Sequence, residues 1–179
     1  MDGRKESSAP RSAEPELVIT RVFDAPRGLM WNAWTEPERL ARWWGPKGFT
    51  MLKATLDLRP GGLFHYGMRS PDGQEMWGKF VYREIAAPER LVFVVSFSDE
   101  KAGTTRAPFS ATWPLEVLNT LTLTESGGRT TLTLRGAPVN ASDAERATFA
   151  ANHKSMQQGF AGTFEQLDAY LATQRSNRQ

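Results

Sequence analysis

The sequence predicts an α+β fold: a curved antiparallel sheet of about seven strands wrapped round one long C-terminal helix, with two short helices after the first strand. Three observations carry the prediction. The middle of the chain is a series of short alternating runs separated by turn residues. The C-terminal part carries one apolar stripe at helical spacing. A tryptophan-rich segment from Trp34 to Trp44 separates the first strand from the rest. Length and composition allow a single core. A chain of 179 residues with 40% hydrophobic content buries roughly 70% of the surface its unfolded form exposes, enough for one domain with room for a pocket.

The domain is expected to span residues 16–172. Residues 1–15 mix Ser, Pro, Ala, Arg and Glu with almost nothing apolar, and residues 173–179 are wholly polar. Neither end offsets its ordering entropy by burial, so both are expected to be disordered tails.

Within the domain, Leu17 to Phe23 is a β-rich start. Asp24 follows as a helix cap, with Pro26 in the first turn. Thr35 and Glu38 stand at capping-box spacing, so a second short helix is expected to begin there and to stop at Gly45-Pro46. Arg59-Pro60-Gly61-Gly62 fits a type II turn, Ser70-Pro71-Asp72-Gly73 a hairpin turn, and Ser126-Gly127-Gly128 a third reversal. Hairpins this closely spaced imply antiparallel pairing, because parallel strands need long crossovers. Phe64, Tyr66 and Met68 share one face of their strand, and Leu63, His65 and Arg69 the other. Leu121/Leu123 and Leu132/Leu134 alternate with threonines in the same way. The resulting apolar sheet face must be covered.

The last helix supplies the cover. Ser142-Asp143-Ala144-Glu145 is a capping box, and Phe149, His153, Met156, Phe160, Phe164, Leu167 and Leu171 then form one stripe along a single helix of about six turns. Gly159 and Gly162 within it cost roughly 1 kcal/mol each relative to Ala, which points either to close packing or a bend, or to a tolerated pair.

Several function classes are excluded by what is missing. No nucleophile-elbow, P-loop, dinucleotide or His-Glu-x-x-His signature occurs. With two histidines and no cysteine, neither a metal nor a cofactor is expected. The lack of cysteine suits a reducing cytoplasm, and no apolar run reaches the ~20 residues of a membrane span, so a cytoplasmic protein without membrane insertion is expected. The net charge of +2, spread among acids, lacks the basic footprint of a nucleic-acid binder.

The facing apolar elements are expected to enclose a ligand cavity. Its candidate lining is Phe64, Tyr66, Met68 and Phe93 from the sheet, with Met156, Phe160 and Phe164 from the helix. Trp34 and Trp43, with Trp31 and Trp44, either line its mouth or plug the end of the sheet. His153 is the one titratable group on the stripe. It is a general base, a ligand-orienting contact or a hydrogen-bonded core histidine, with Asn119 as its partner or as a second polar anchor. The polar segment 98–112 reads as a surface loop whose apolar foot, Phe109 and Trp113, makes it either a lid over the cavity or a mobile hairpin connection.

One string of residues resembles a known family. Trp34-Thr35-Glu36-Pro37-Glu38-Arg39-Leu40-Ala41-Arg42-Trp43-Trp44-Gly45-Pro46, then Asp57-Leu58-Arg59-Pro60-Gly61-Gly62, then Tyr66, Met68 and Pro71-Asp72-Gly73, is similar to bacterial homologues of the activator of the heat-shock-protein-90 ATPase. These belong to the START-related, birch-pollen-allergen-like helix-grip superfamily (SRPBCC), and the likeness runs from Leu17 to Leu171. Relatives commonly carry Gly-Trp where this chain has Gly159-Phe160, a difference that bears on ligand size. The resemblance implies a binding module for a small hydrophobic or amphipathic molecule. Its alternatives are a co-chaperone that stimulates the heat-shock-protein-90 ATPase and a cyclase- or hydrolase-type enzyme with His153 as its acid–base group. The eukaryotic activators carry a further N-terminal domain, whereas only a short polar stretch precedes Leu17 here, which weighs against the chaperone contact. A homodimer is left open.

Overall fold

The computed structural model describes residues 16–177, the side chains of 176 and 177 excepted. The expected N-terminal tail lies outside the described residues. The chain runs β1 (Leu17–Phe23), α1 (Arg27–Thr35), α2 (Pro37–Trp43), β2 (Thr50–Leu56), β3 (Leu63–Arg69), β4 (Glu75–Ala86), β5 (Arg90–Ser98), β6 (Thr104–Thr105), β7 (Val117–Ser126), β8 (Arg129–Pro138), α3 (Asp143–Ala151) and α4 (His153–Asn177). The strands form one antiparallel sheet in the order β1-β8-β7-β5-β4-β3-β2, with the two-residue β6 paired to β5. Register shifts between Met51 and Lys53 and between Tyr82 and Glu84 bend β2 and β4, since a bulged strand kinks and twists more tightly. The curved face holds the helices, so the helix-grip architecture stands.

Four local expectations need correction. Helix α1 starts from Pro26, with no side-chain cap; Asp24 instead receives Arg175, through both its carbonyl and its carboxylate. Helix α2 starts from Glu36 with Pro37 in its first turn, where a missing N–H costs nothing. Thr35 cannot cap it, because its hydroxyl donates back to the Trp31 carbonyl at 2.7 Å. The C-terminal stripe is carried by two helices. The Ser142–Glu145 capping box forms as expected, but α3 ends at Asn152 (φ −106°, ψ 12°), whose amide donates to the Thr148 carbonyl at 2.8 Å. Gly159 and Gly162 lie inside α4 with open space where a Cβ would stand, so they mark neither close packing nor the bend. Finally, α4 continues through Thr173 to Asn177. Polar residues there are held by side-chain bonds, Thr173 Oγ1 to the Tyr170 carbonyl at 2.7 Å and Arg39 Nη1 to Gln174 Oε1 at 3.1 Å, so apolar burial is not what keeps them helical.

The core sits between the sheet and α1, α2 and α4. Trp34, Trp43, Phe23, Phe64, Phe80, Phe93 and Phe164 are all fully buried there. Each such side chain contributes roughly 1.5–3 kcal/mol by burial. Edge-on pairs such as Trp34–Trp43 at 4.9 Å and the stacked Phe80–Phe93 pair at 4.4 Å add about 0.5–1.5 kcal/mol each. Trp43 satisfies its indole N–H on the Ala33 carbonyl at 3.0 Å. After α2 the chain turns at Gly45 (φ +106°), where a Cβ would lie 2.6 Å from the Met68 sulfur. The Gly45 carbonyl accepts bonds from Thr163 Oγ1 at 3.1 Å and Gln166 Nε2 at 2.7 Å, tying the turn to α4.

Candidate functional site

Toward the α3–α4 elbow the core opens into a partly enclosed cavity of about 220 Å³. Phe93, Val95 and Phe97 of β5 line it at alternate positions, as the period of a strand requires, and Ser96 between them also borders it. Val117 and Asn119 of β7 and Leu134 and Gly136 of β8 continue the same surface. Phe149, Met156 and Phe160 close it from the helices, Trp34 and Trp44 from the packed end, and Trp113 and Pro114 from the long loop.

Of the residues named from sequence, Trp34, Tyr66, Phe93, Asn119, Met156 and Phe160 stand in this wall. Trp43, Phe64, Met68 and Phe164 do not; all four are buried in the solid core, where neighbouring rings and Met68 fill the space. His153 is also outside the wall. Its ring meets Phe149 edge-on at 5.3 Å and 87°, and its Nε2 is covered without a hydrogen-bond partner. It is therefore not the hydrogen-bonded core histidine of one expectation, and Asn119 is not its partner. Val95 and Phe97 follow Phe93 in phase and were legible by period two. Trp44, expected at the mouth, Trp113, expected as the foot of the loop, and Phe149, on the expected stripe, also stand in the wall, whereas Gly136 needed the tertiary structure.

Among the described residues the wall holds no ionisable group except Tyr66, whose hydroxyl is pushed up to about 12 by burial while the nearby Trp44 indole pulls the other way. That Trp44 N–H makes no aligned hydrogen bond, and neither does that of Trp34. The site is thus neutral at physiological pH. Asn119 is 8% exposed and its Nδ2 reaches the Val117 carbonyl only at 3.5 Å, the weak limit of a hydrogen bond. Its cross-strand partner is Gly136, where a Cβ would fall 2.7 Å from Asn119 Oδ1. The absent side chain makes room for the amide. Among the described residues no group of three or more His, Asp or Glu could hold a metal ion.

The loop before β7 is clasped over α3. Arg106 bonds both the Trp113 carbonyl, at 3.1 Å, and the Glu145 carboxylate, and Thr112 Oγ1 pairs with Thr148 Oγ1 at 2.7 Å. Phe109 is 64% exposed and rests on Phe97 and Trp113, which belong to the wall. On the opposite sheet face His65 is buried, with its Nε2 3.1 Å from the Asp99 carbonyl and its ring 5.5 Å from Trp77. Alternation alone had assigned His65 to a polar face.

Solved structures share this architecture. A protein from Nitrosomonas europaea matches with a TM-score of 0.72 at 23% identity, over 92% of this chain and 98% of that one. Proteins from Arthrobacter aurescens and Mycobacterium smegmatis match at 29% and 28% identity with TM-scores of 0.72 and 0.71. The former match covers 89% of this chain and 87% of that one, the latter 87% and 90%. No curated protein matches the chain. The family model described as activator of Hsp90 ATPase homolog 1-like protein matches residues 24–172. Its span takes in the tryptophan segment, every strand after β1 and the helical cover, and the chain belongs to that family.

Proposed function

We propose that the protein is a binding module that holds a small hydrophobic molecule between the sheet and the C-terminal helices. The observation that carries this reading is the unfilled space itself. At roughly 24 cal/mol per Å³, a cavity of about 220 Å³ forgoes on the order of 5 kcal/mol, an upper bound because it is partly open. That is comparable with the whole stability of a small domain, about 5–15 kcal/mol. A core that fills its other half with rings has the means to fill this half too. The wall offers no general acid or base at neutral pH, which favours binding over turnover. The clasped loop serves as the lid through which the ligand enters, and the cysteine-free composition suits the cytoplasm.

Native mass spectrometry of the purified protein tests the proposal. A bound small molecule lost on denaturation is expected. A bare chain whose melting temperature no hydrophobic additive raises overturns it. The family description supports a second reading, contact with heat-shock protein 90; stimulation of that chaperone's ATPase by this protein is its test.

A further inference from the structure

We infer that the ligand is a small, neutral, planar aromatic molecule with a polar edge that is read by Asn119, with Gly136 setting the space for that contact. The inference rests on the binding-module reading and names the class of molecule the cavity selects.

Size comes first. A cavity of about 150 Å³ holds one benzene ring, so by proportion about 220 Å³ takes a molecule of roughly nine or ten heavy atoms. A long acyl chain or a sterol would have to protrude through its open side. Shape comes next. Nearly half of the wall residues carry aromatic rings, on the sheet, on both C-terminal helices, on the loop and at the packed end. Such walls reward a flat partner through stacked and edge-on contacts beyond simple burial. Charge comes last: among the described residues the wall holds no counter-ion. A carboxylate or ammonium there loses its hydration with nothing to pair it, a penalty that a neutral molecule does not carry.

The polar edge follows from Asn119. A carboxamide has two donor hydrogens and an acceptor oxygen, yet this one makes a single long bond to its own strand. Its neighbours in the register are Phe93 on one side and Gly136 on the other, so an aromatic face and an open backbone position flank the one polar side chain amide of the wall. A ligand presenting a donor and an acceptor side by side satisfies it. The unpaired Trp34 indole N–H in the same wall is a second donor suited to a ligand oxygen.

The test titrates the purified full chain by calorimetry with four probes: oxindole, which has a lactam edge; indane, its counterpart without one; benzoate; and palmitate. Oxindole is expected to bind on the order of tenfold more tightly than indane, the worth of one satisfied hydrogen bond, and more tightly than benzoate or palmitate. Asn119→Leu, which keeps the branched outline without the polar atoms, is expected to bring oxindole and indane within about twofold of each other, and Gly136→Ala to weaken oxindole selectively. Unchanged melting temperatures verify that both variants fold; if one does not, the other carries the comparison. Equal affinity for oxindole and indane in the parent protein overturns the inference, as does a preference for benzoate or palmitate, though palmitate binding leaves the carrier reading intact. Failure of all four probes, together with no ligand in native mass spectra, removes both.

Discussion

Phe164 and Phe160 stand one helical turn apart on α4 and meet different surroundings. Phe164 is buried against Phe23 at 6.0 Å and Trp34 at 6.4 Å, whereas Phe160 is partly buried and forms part of the cavity wall. The same stripe on the same helix therefore yields a filled core at one end and a void at the other. What differs is the third layer. At the Phe164 end α1 and α2 insert Trp34 and Trp43 between sheet and helix. At the Phe160 end the cover is the α3–α4 elbow and a loop, and the sheet contributes Val117 and Gly136. Periodicity specifies which residues point inward; whether they touch depends on elements the stripe does not encode.

The largest expected effect breaks the filled end. Phe164→Ala should cost about 3–5 kcal/mol, the usual range for a fully buried ring, read as a lowered urea midpoint. Phe160→Ala should cost less than half as much, because that ring already borders empty space. Equal losses would show that the two ends do not differ in packing.

Gly45→Ala comes next. The positive φ alone costs about 1–3 kcal/mol for a residue with a Cβ, and the Met68 sulfur must shift as well. The loss should appear in thermal denaturation without changing ligand affinity, since neither Gly45 nor Met68 is in the wall. An affinity change larger than the stability change would mean that the turn positions the cavity.

How much of this was legible depended on the range of the signal. The shared face of Phe64, Tyr66 and Met68 and the Ser142–Glu145 box are local patterns and appear as read, whereas β3 is buried on both faces and the stripe is split between two helices. The helix break at Asn152 left no Pro or Gly mark, because an asparagine amide bonded to the Thr148 carbonyl ended the helix. A void between sheet and helix follows from the facing stripes, but its place does not. It depends on Gly136 lying opposite Asn119, a register set by the β7–β8 hairpin, and on Trp113 arriving from an aperiodic loop. His65 was assigned outward correctly, but the Asp99 segment that covers it belongs to another turn of chain.

The loop clasp sharpens the comparison at lower energy. Glu145 is held below the ordinary carboxylate range, first by the hydrogen bond from Arg106 and next by the Ser142 backbone N–H. Its folded pKa lies under the unfolded value of about 4.3, so the stabilisation is fully present above that value and is lost as pH falls through the folded pKa. The urea midpoint of the parent protein should therefore decline through this window, and that of Glu145→Gln should decline less. At neutral pH, Arg106→Ala should speed trypsin cleavage after Lys101, while a saturating cavity ligand should slow it. Cleavage at one rate with and without ligand would show that the loop is a plain connection rather than a lid.

The smallest expected effect concerns His153, the one residue whose chemistry made it the natural choice for the centre of a site. A histidine orienting a ligand must reach the cavity, and this one is turned against Phe149, with Nε2 covered and unpartnered. It meets the wall residue Phe149 but does not itself line the cavity. His153→Gln should leave oxindole affinity within about twofold, against the on-the-order-of-tenfold loss expected at Asn119. The two substitutions measured side by side by calorimetry decide which polar residue the ligand meets. A tenfold loss at His153 with none at Asn119 would move the site to the elbow between α3 and α4, and the unpaired Nε2 would then be the group awaiting a partner.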